Sequence, residues 1–204
     1  MLFLGHLVIG LIVGFILYEF FHDRAVIVFI AIGSVLPDII DKPLGYIILG
    51  STLDNGKIFY HSLIIVLLFF ITGLLVWKFF KSHSFLFTAL GVFLHQILDL
   101  MWKHPVNWYY PLLGPYQTGA HKDYFMNAII AELTSVTEWI FFIAILVIVC
   151  LLYINTKQQK PMVDLDPLIR EKTRRFYGSL LAVALFVLAL SVIIICLWDP
   201  FFNY

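Results

Sequence analysis

The chain has 204 residues, of which 62% are hydrophobic and 13% charged, with a mean hydropathy of +0.96. Soluble domains carry about 25% charged residues, so an ordinary water-facing surface is excluded and a lipid-facing one is expected. Lys and Arg balance Asp and Glu at 13 each, which removes the basic surplus of a nucleic-acid binder, and no nucleic-acid partner is expected.

A hydrocarbon core about 30 Å thick needs about 20 apolar residues per helix. Leu2 to Phe21 is the first such run, closed by His22-Asp23-Arg24. It carries His6 and lacks a basic leader, so it reads as a retained helix and not as a cleaved signal. Ala25 to Leu36 is a short second run ending at Pro37-Asp38, with Asp41-Lys42-Pro43 beyond. Leu44 to Leu49 is too short to span and suits an interfacial or re-entrant segment. After the polar turn Ser51 to Lys57, His61 to Phe80 is the third run and Phe85 to Trp102 the fourth. Lys103 to Met126 is a loop rich in Pro, Gly and aromatic residues. Asn127 to Ile154 is the fifth run, residues 155–176 form a polar loop, and Tyr177 to Trp198 is the sixth. Cys150 and Cys196 lie inside apolar runs, in neither a disulfide nor a zinc-knuckle pattern. The expectation is an all-α, polytopic cell-membrane protein of about six transmembrane helices, folded as a single domain over residues 1–204.

Six crossings place both termini on one side. The opposite side then holds Arg24, Lys78, Lys81, Lys157, Lys160, Arg170, Lys172, Arg174 and Arg175, against Lys42, Lys57, Lys103 and Lys122 on the terminal side. The positive-inside rule makes the former cytoplasmic, residues 155–176 included, and the latter external. On this layout His6, Asp38, Asp41, His61, His95 and Asp99 come from distant segments to one depth at the external face, joined by Glu132 and Glu138 at the start of the fifth run. Asp38 and Asp41 are three apart, His95 and Asp99 four apart, so each pair shares a helix face. Imidazole and carboxylate together suit zinc, manganese or iron, and so many donors allow one or two ions. Ionisable groups at membrane depth are costly and mostly functional. A lone His at a helix end is more often interfacial, and Asp38 after Pro37 could be a turn residue; neither account explains the joint clustering. The aromatic loop residues Trp102, Trp108, Tyr109, Tyr110 and Tyr116 read as an interfacial belt.

Gly5-His6-Leu7, Leu36-Pro37-Asp38 through Asp41-Lys42-Pro43, His61-Ser62-Leu63, and Gly91 through His95 to Asp99 stand in the order seen in the YdjM-like membrane-bound metal-dependent hydrolases, which residues 1–115 resemble. The segment from Leu36 to Leu44 is similar to archaeal members, which implies an archaeal source. The resemblance extends distantly to zinc-dependent phospholipase C, and implies a similar helical metal site with His6, Asp38 or Asp41, His61, His95 and Asp99 as ligands. The superfamily's second His-to-Glu pair is missing: Ala128 precedes Glu132 and Thr134 precedes Glu138 at that spacing, and Gly56 replaces another common His. His104 and His121 are candidates to supply a missing ligand. The activity implied is hydrolysis of a phosphoester, lipid-linked and met among membrane lipids, by metal-activated water, with Asp41 or Glu138 as general base. The alternative is a non-enzymatic membrane module that binds or transports metal.

Overall fold

The computed structural model describes residues 3–118 without a break, then residues 126, 129–130, 133–136, 138–143 and 145. Part of the fifth apolar run, all of the sixth, residues 155–176, Glu132, His121, Cys150 and Cys196 lie outside the described residues.

Every regular element among the described residues is helical. Four helices make the frame: α1 Phe3–Phe21, α2 Ala25–Pro43, α3 Leu63–Phe80 and α4 Ser84–Leu98. Two of them, α1 and α3, are long and apolar enough to cross a membrane. The expectation of about six spans therefore narrows to two among the described residues. The physical reason lies in α2 and α4: α2 carries Asp38, Asp41 and Lys42 in its last turns, and α4 has only 15 residues. α3 turns Leu67, Phe70, Ile71, Leu74, Leu75 and Phe79 outward and buries only Ile65, Phe69 and Gly73. Such an apolar, unburied helix is at home in lipid and not in water.

α1 and α2 form one antiparallel hairpin, α3 and α4 another, and α2 packs on α4 so that these two lie in the middle. Glycines set how closely the helices approach. A Cβ on Gly14 would stand 2.8 Å from the Ile27 Cα, and one on Gly10 would fall onto the Ser34 side chain. Between α2 and α4, Gly33 and Gly91 face each other; a Cβ on Gly91 would come within 2.8 Å of the Gly33 Cα. Val26, Phe29, Ile30, Phe69, Phe85 and Val92 complete the core beside these crossings.

Two local boundaries differ from those of the apolar runs. The second helix does not stop at Leu36; it continues through Pro37 to Pro43 and into a π-helical turn, Leu44–Ile48. Proline removes one donor and crowds the preceding turn, yet here α2 is held by neighbours on both flanks. The stretch after Pro43 buries Leu44 and Gly45 and exposes Ile47 and Ile48. His61 does not open α3 but sits in a 3-10 turn, Phe59–His61, just before it.

Candidate metal centre

Alternating helix directions bring the N-terminal end of α1, the C-terminal ends of α2 and α4 and the turn before α3 to one end of the bundle. Asp38, His61, His95 and Asp99 meet there, each offering one ligand atom within 4.8 Å of the others, and all four are buried. The Nε2 atoms of His61 and His95 are 3.1 Å apart. Asp38 Oδ1 is 3.8 Å from each of them, and Asp99 Oδ2 is 3.7 Å from His61 Nε2. Zinc–ligand bonds of 2.0–2.2 Å place the corners of a tetrahedron roughly 3.3–3.6 Å apart. These four distances are within a few tenths of an ångström of that size, and the whole group falls within 4.8 Å.

Hydrogen bonding fixes which way the imidazoles face. His95 Nδ1 lies 2.7 Å from the Ser34 carbonyl oxygen, which can only accept, so Nδ1 carries a proton and Nε2 points inward. His61 Nδ1 lies 2.7 Å from Asp41 Oδ2 and donates to it. Two Nε2 atoms and two carboxylate oxygens thus converge, a set of acceptors that needs a cation among them. In the metal-free protein a proton meets part of that need. Burial pushes His61 down, but its bonds to Asp41 and Asp99 and the charges of Asp41 and Asp38 outweigh this and raise it to about 9. The donor set could hold a divalent metal ion, with the outer imidazole nitrogens tied to a carboxylate and a carbonyl as is usual for ligating histidines.

Asp41 was expected as a ligand and base, and the structure places it behind His61 instead. It is fully buried, its Oδ1 accepts from Tyr60 N (3.1 Å), and its Oδ2 accepts from Ile58 N (3.2 Å), His61 N (3.1 Å) and His61 Nδ1. Its spacing from Asp38 brought both to one helix end without giving them one task. His6, expected as a ligand, also stands one step back: Nε2 is 3.0 Å from Asp99 Oδ1 and the ring stacks on His95 at 4.0 Å between centroids. Glu138 is buried and lies outside the four-donor group; its Oε2 accepts from Leu4 N at 2.8 Å, and its Oε1 has no hydrogen-bond partner among the described residues. His104 is exposed and takes no place in the group.

Sequence reasoning missed the supports. Gln96, beside His95, donates to the Tyr60 and Ser62 carbonyls (3.1 and 2.9 Å) and accepts from Trp108 Nε1 (2.9 Å), so it ties the His61 turn to α4. Lys42 Nζ is 3.1 Å from Asp38 Oδ2, an ion pair off hydrogen-bond geometry, and the i,i+4 spacing was the available signal for it. Lys57 Nζ is 3.1 Å from Asp99 Oδ2.

The model of the YdjM inner membrane protein family matches residues 1–195. The chain belongs to this family. Membership agrees with the lipid-facing α1 and α3 and with the motif order that holds His6, Asp38, His61, His95 and Asp99. No curated protein and no solved structure matches the chain.

Proposed function

We propose that this YdjM-family protein is a membrane-embedded, metal-dependent hydrolase of phosphoester bonds, with a lipid-linked substrate. The observation that supports it most is the inward set of four acceptors from Asp38, His61, His95 and Asp99 at one end of a lipid-facing bundle. Structural zinc sites are dominated by Cys, and this one has none. A divalent ion held there would supply Lewis acidity and bring a water's pKa towards neutrality. The chain's own part is positioning: Ser34 and Asp41 aim the imidazoles, and His6 holds Asp99. With both Asp41 oxygens engaged, Glu138 is the remaining candidate base. The exposed apolar residues Ile47, Ile48, Leu112 and Leu113, on segments beside this end, favour a substrate met in the bilayer. The Lys and Arg count, which holds for a layout of six crossings, supports an external site.

One observation favours a second reading, a metal-binding module without catalysis. Four protein donors can fill a tetrahedron, whereas catalytic zinc keeps a position open. Transport is less favoured, because α3 holds no ionisable group before Lys78.

Elemental analysis of purified protein, paired with a phosphoester and lipid-substrate screen with and without chelator, separates these readings. Metal-dependent turnover supports the hydrolase; a firmly held ion without turnover across the screen supports the module; no bound ion defeats both. Thiol labelling of intact cells should reach cysteines introduced at Asn55 or Thr118 but not at Gln159, and the reverse pattern would invert the orientation.

A further inference from the structure

Lys57 has no role in the reading above, yet its ammonium stands at the centre's edge. Nζ lies 3.1 Å from Asp99 Oδ2 and 3.2 Å from the Asp99 carbonyl oxygen, and the side chain is 35% exposed against 5% for Asp99. The loop that presents it is pinned on both sides. Lys57 N donates to Asn55 Oδ1 (2.9 Å) and its carbonyl accepts from Asn107 Nδ2 (2.9 Å). Asn55 Nδ2 and Asn107 Oδ1 then both bind the Gln117 backbone, at 2.7 and 3.1 Å. An ammonium has three donors, and Asp99 engages two of them.

Asp99 Oδ2 is also the oxygen that faces His61 Nε2. A divalent ion and Lys57 therefore draw on the same atom. Once an ion takes that oxygen, the carboxylate's charge is shared and its hold on Lys57 weakens. A fixed ammonium is then left on the more open side of a divalent ion whose charge the Asp38 and Asp99 carboxylates balance. Two cations facing one opening favour an anion with several oxygens that can bridge them.

We propose that Lys57 is the anion-binding residue of this site, taking a phosphate-class oxyanion together with the bound metal. The proposal rests on the metal-dependent phosphoester reading and names the group that the site would grip. The same chemistry is offered by free phosphate and by a phosphorylated lipid headgroup.

The test uses the full chain in nanodiscs of zwitterionic lipid, loaded with zinc and titrated with inorganic phosphate, with zinc content measured on the same samples. Lys57→Gln should keep its zinc and bind phosphate roughly tenfold to a hundredfold more weakly, the range for losing one hydrogen bond to a charged group. Lys57→Arg should recover most of that affinity, Lys103→Gln should match the unaltered protein, and zinc-free protein should bind far more weakly. Placing phosphatidate in the nanodisc should compete with phosphate if the headgroup is the natural source; absence of competition assigns the site to free phosphate. The proposal is overturned if Lys57→Gln binds phosphate within twofold of the unaltered chain, or if zinc-free protein binds equally well. It is also overturned if both Lys57 variants lose zinc in step with phosphate, since Lys57 would then only support Asp99. Zinc-loaded protein that binds no phosphate defeats this inference alone, whereas failure to take up any metal defeats the parent reading and this one with it.

Discussion

Asp41→Asn isolates what the buried carboxylate behind His61 contributes. Asp41 accepts four hydrogen bonds, three from the backbone of the Ile58–His61 turn and one from His61 Nδ1. An asparagine has one acceptor oxygen. With that oxygen in the Oδ2 position, its NH2 group faces the Tyr60 N–H, and one buried donor is stranded at a cost of about 1–3 kcal/mol. The other three bonds lose their charge assistance, about 1 kcal/mol each. Relief of the buried charge offsets part of this, and a net loss of about 2–4 kcal/mol is expected in the metal-free protein. His61 also loses the carboxylate that orients it, so zinc affinity should fall about 10- to 100-fold, the usual range for removing an outer partner of a ligating histidine. Competition against a chromophoric chelator measures this, with Asp38→Asn as the ligand-loss standard. If Asp41→Asn loses zinc as completely as Asp38→Asn, Asp41 is a ligand and the orienting account is wrong. If affinity changes less than twofold, the bond to His61 Nδ1 does not set the imidazole's direction.

His95→Ala should abolish or sharply reduce bound metal while His83→Ala leaves it unchanged, because His83 caps the opposite end of the bundle; elemental analysis reads both. Gly33→Ala forces a methyl against the Thr88 carbonyl at the α2–α4 crossing, so thermal unfolding should report about 1–3 kcal/mol of destabilisation and metal content should fall with it. In metal-free protein His61 is raised from 6.5 to about 9, so its stabilising contribution is full below about pH 6.5, declines above that, and is lost as pH rises through 9. Zinc must displace that proton, so apparent affinity should weaken by up to about tenfold per pH unit below 9. Calorimetry in buffers of different ionisation enthalpy should detect the released proton, and a pH-independent affinity would show that His61 binds no proton there.

Sequence placed the site at the right end of the bundle because helix direction alternates and because motif spacing is local. His95 and Asp99 four apart, and Asp38 near the end of an apolar run, carry that information by themselves. What sequence could not resolve was rank within the cluster. Asp38 and Asp41 share a helix end, and only the fold of the Ile58–His61 turn over Asp41 makes one a candidate ligand and the other its neighbour's anchor. His6 was similarly visible as a participant but not as the partner of Asp99. The apolar run of α2 ends at Leu36 while its helix goes on to Pro43, because Pro37 is held inside the helix by packing from α1 and α4. Among the described residues, two of the four apolar runs are helices long and apolar enough to span, because α2 ends in charged residues and α4 closes after 15 residues.

The shortness of α4 also sets how deep the centre lies. Fifteen residues rise about 22 Å, against about 30 Å for the hydrocarbon core. With Ser84 at one surface of such a core, Asp99 stops roughly 8 Å short of the other. The chain beyond it does not continue as a helix but folds over as the turns Met101–Lys103 and Pro105–Trp108, with Trp102 exposed. On that placement the cluster would sit in a dimple beneath the headgroups and not on a platform above them. A ligand would then have to sink below the plane of its neighbours, or the bilayer would have to thin to meet it.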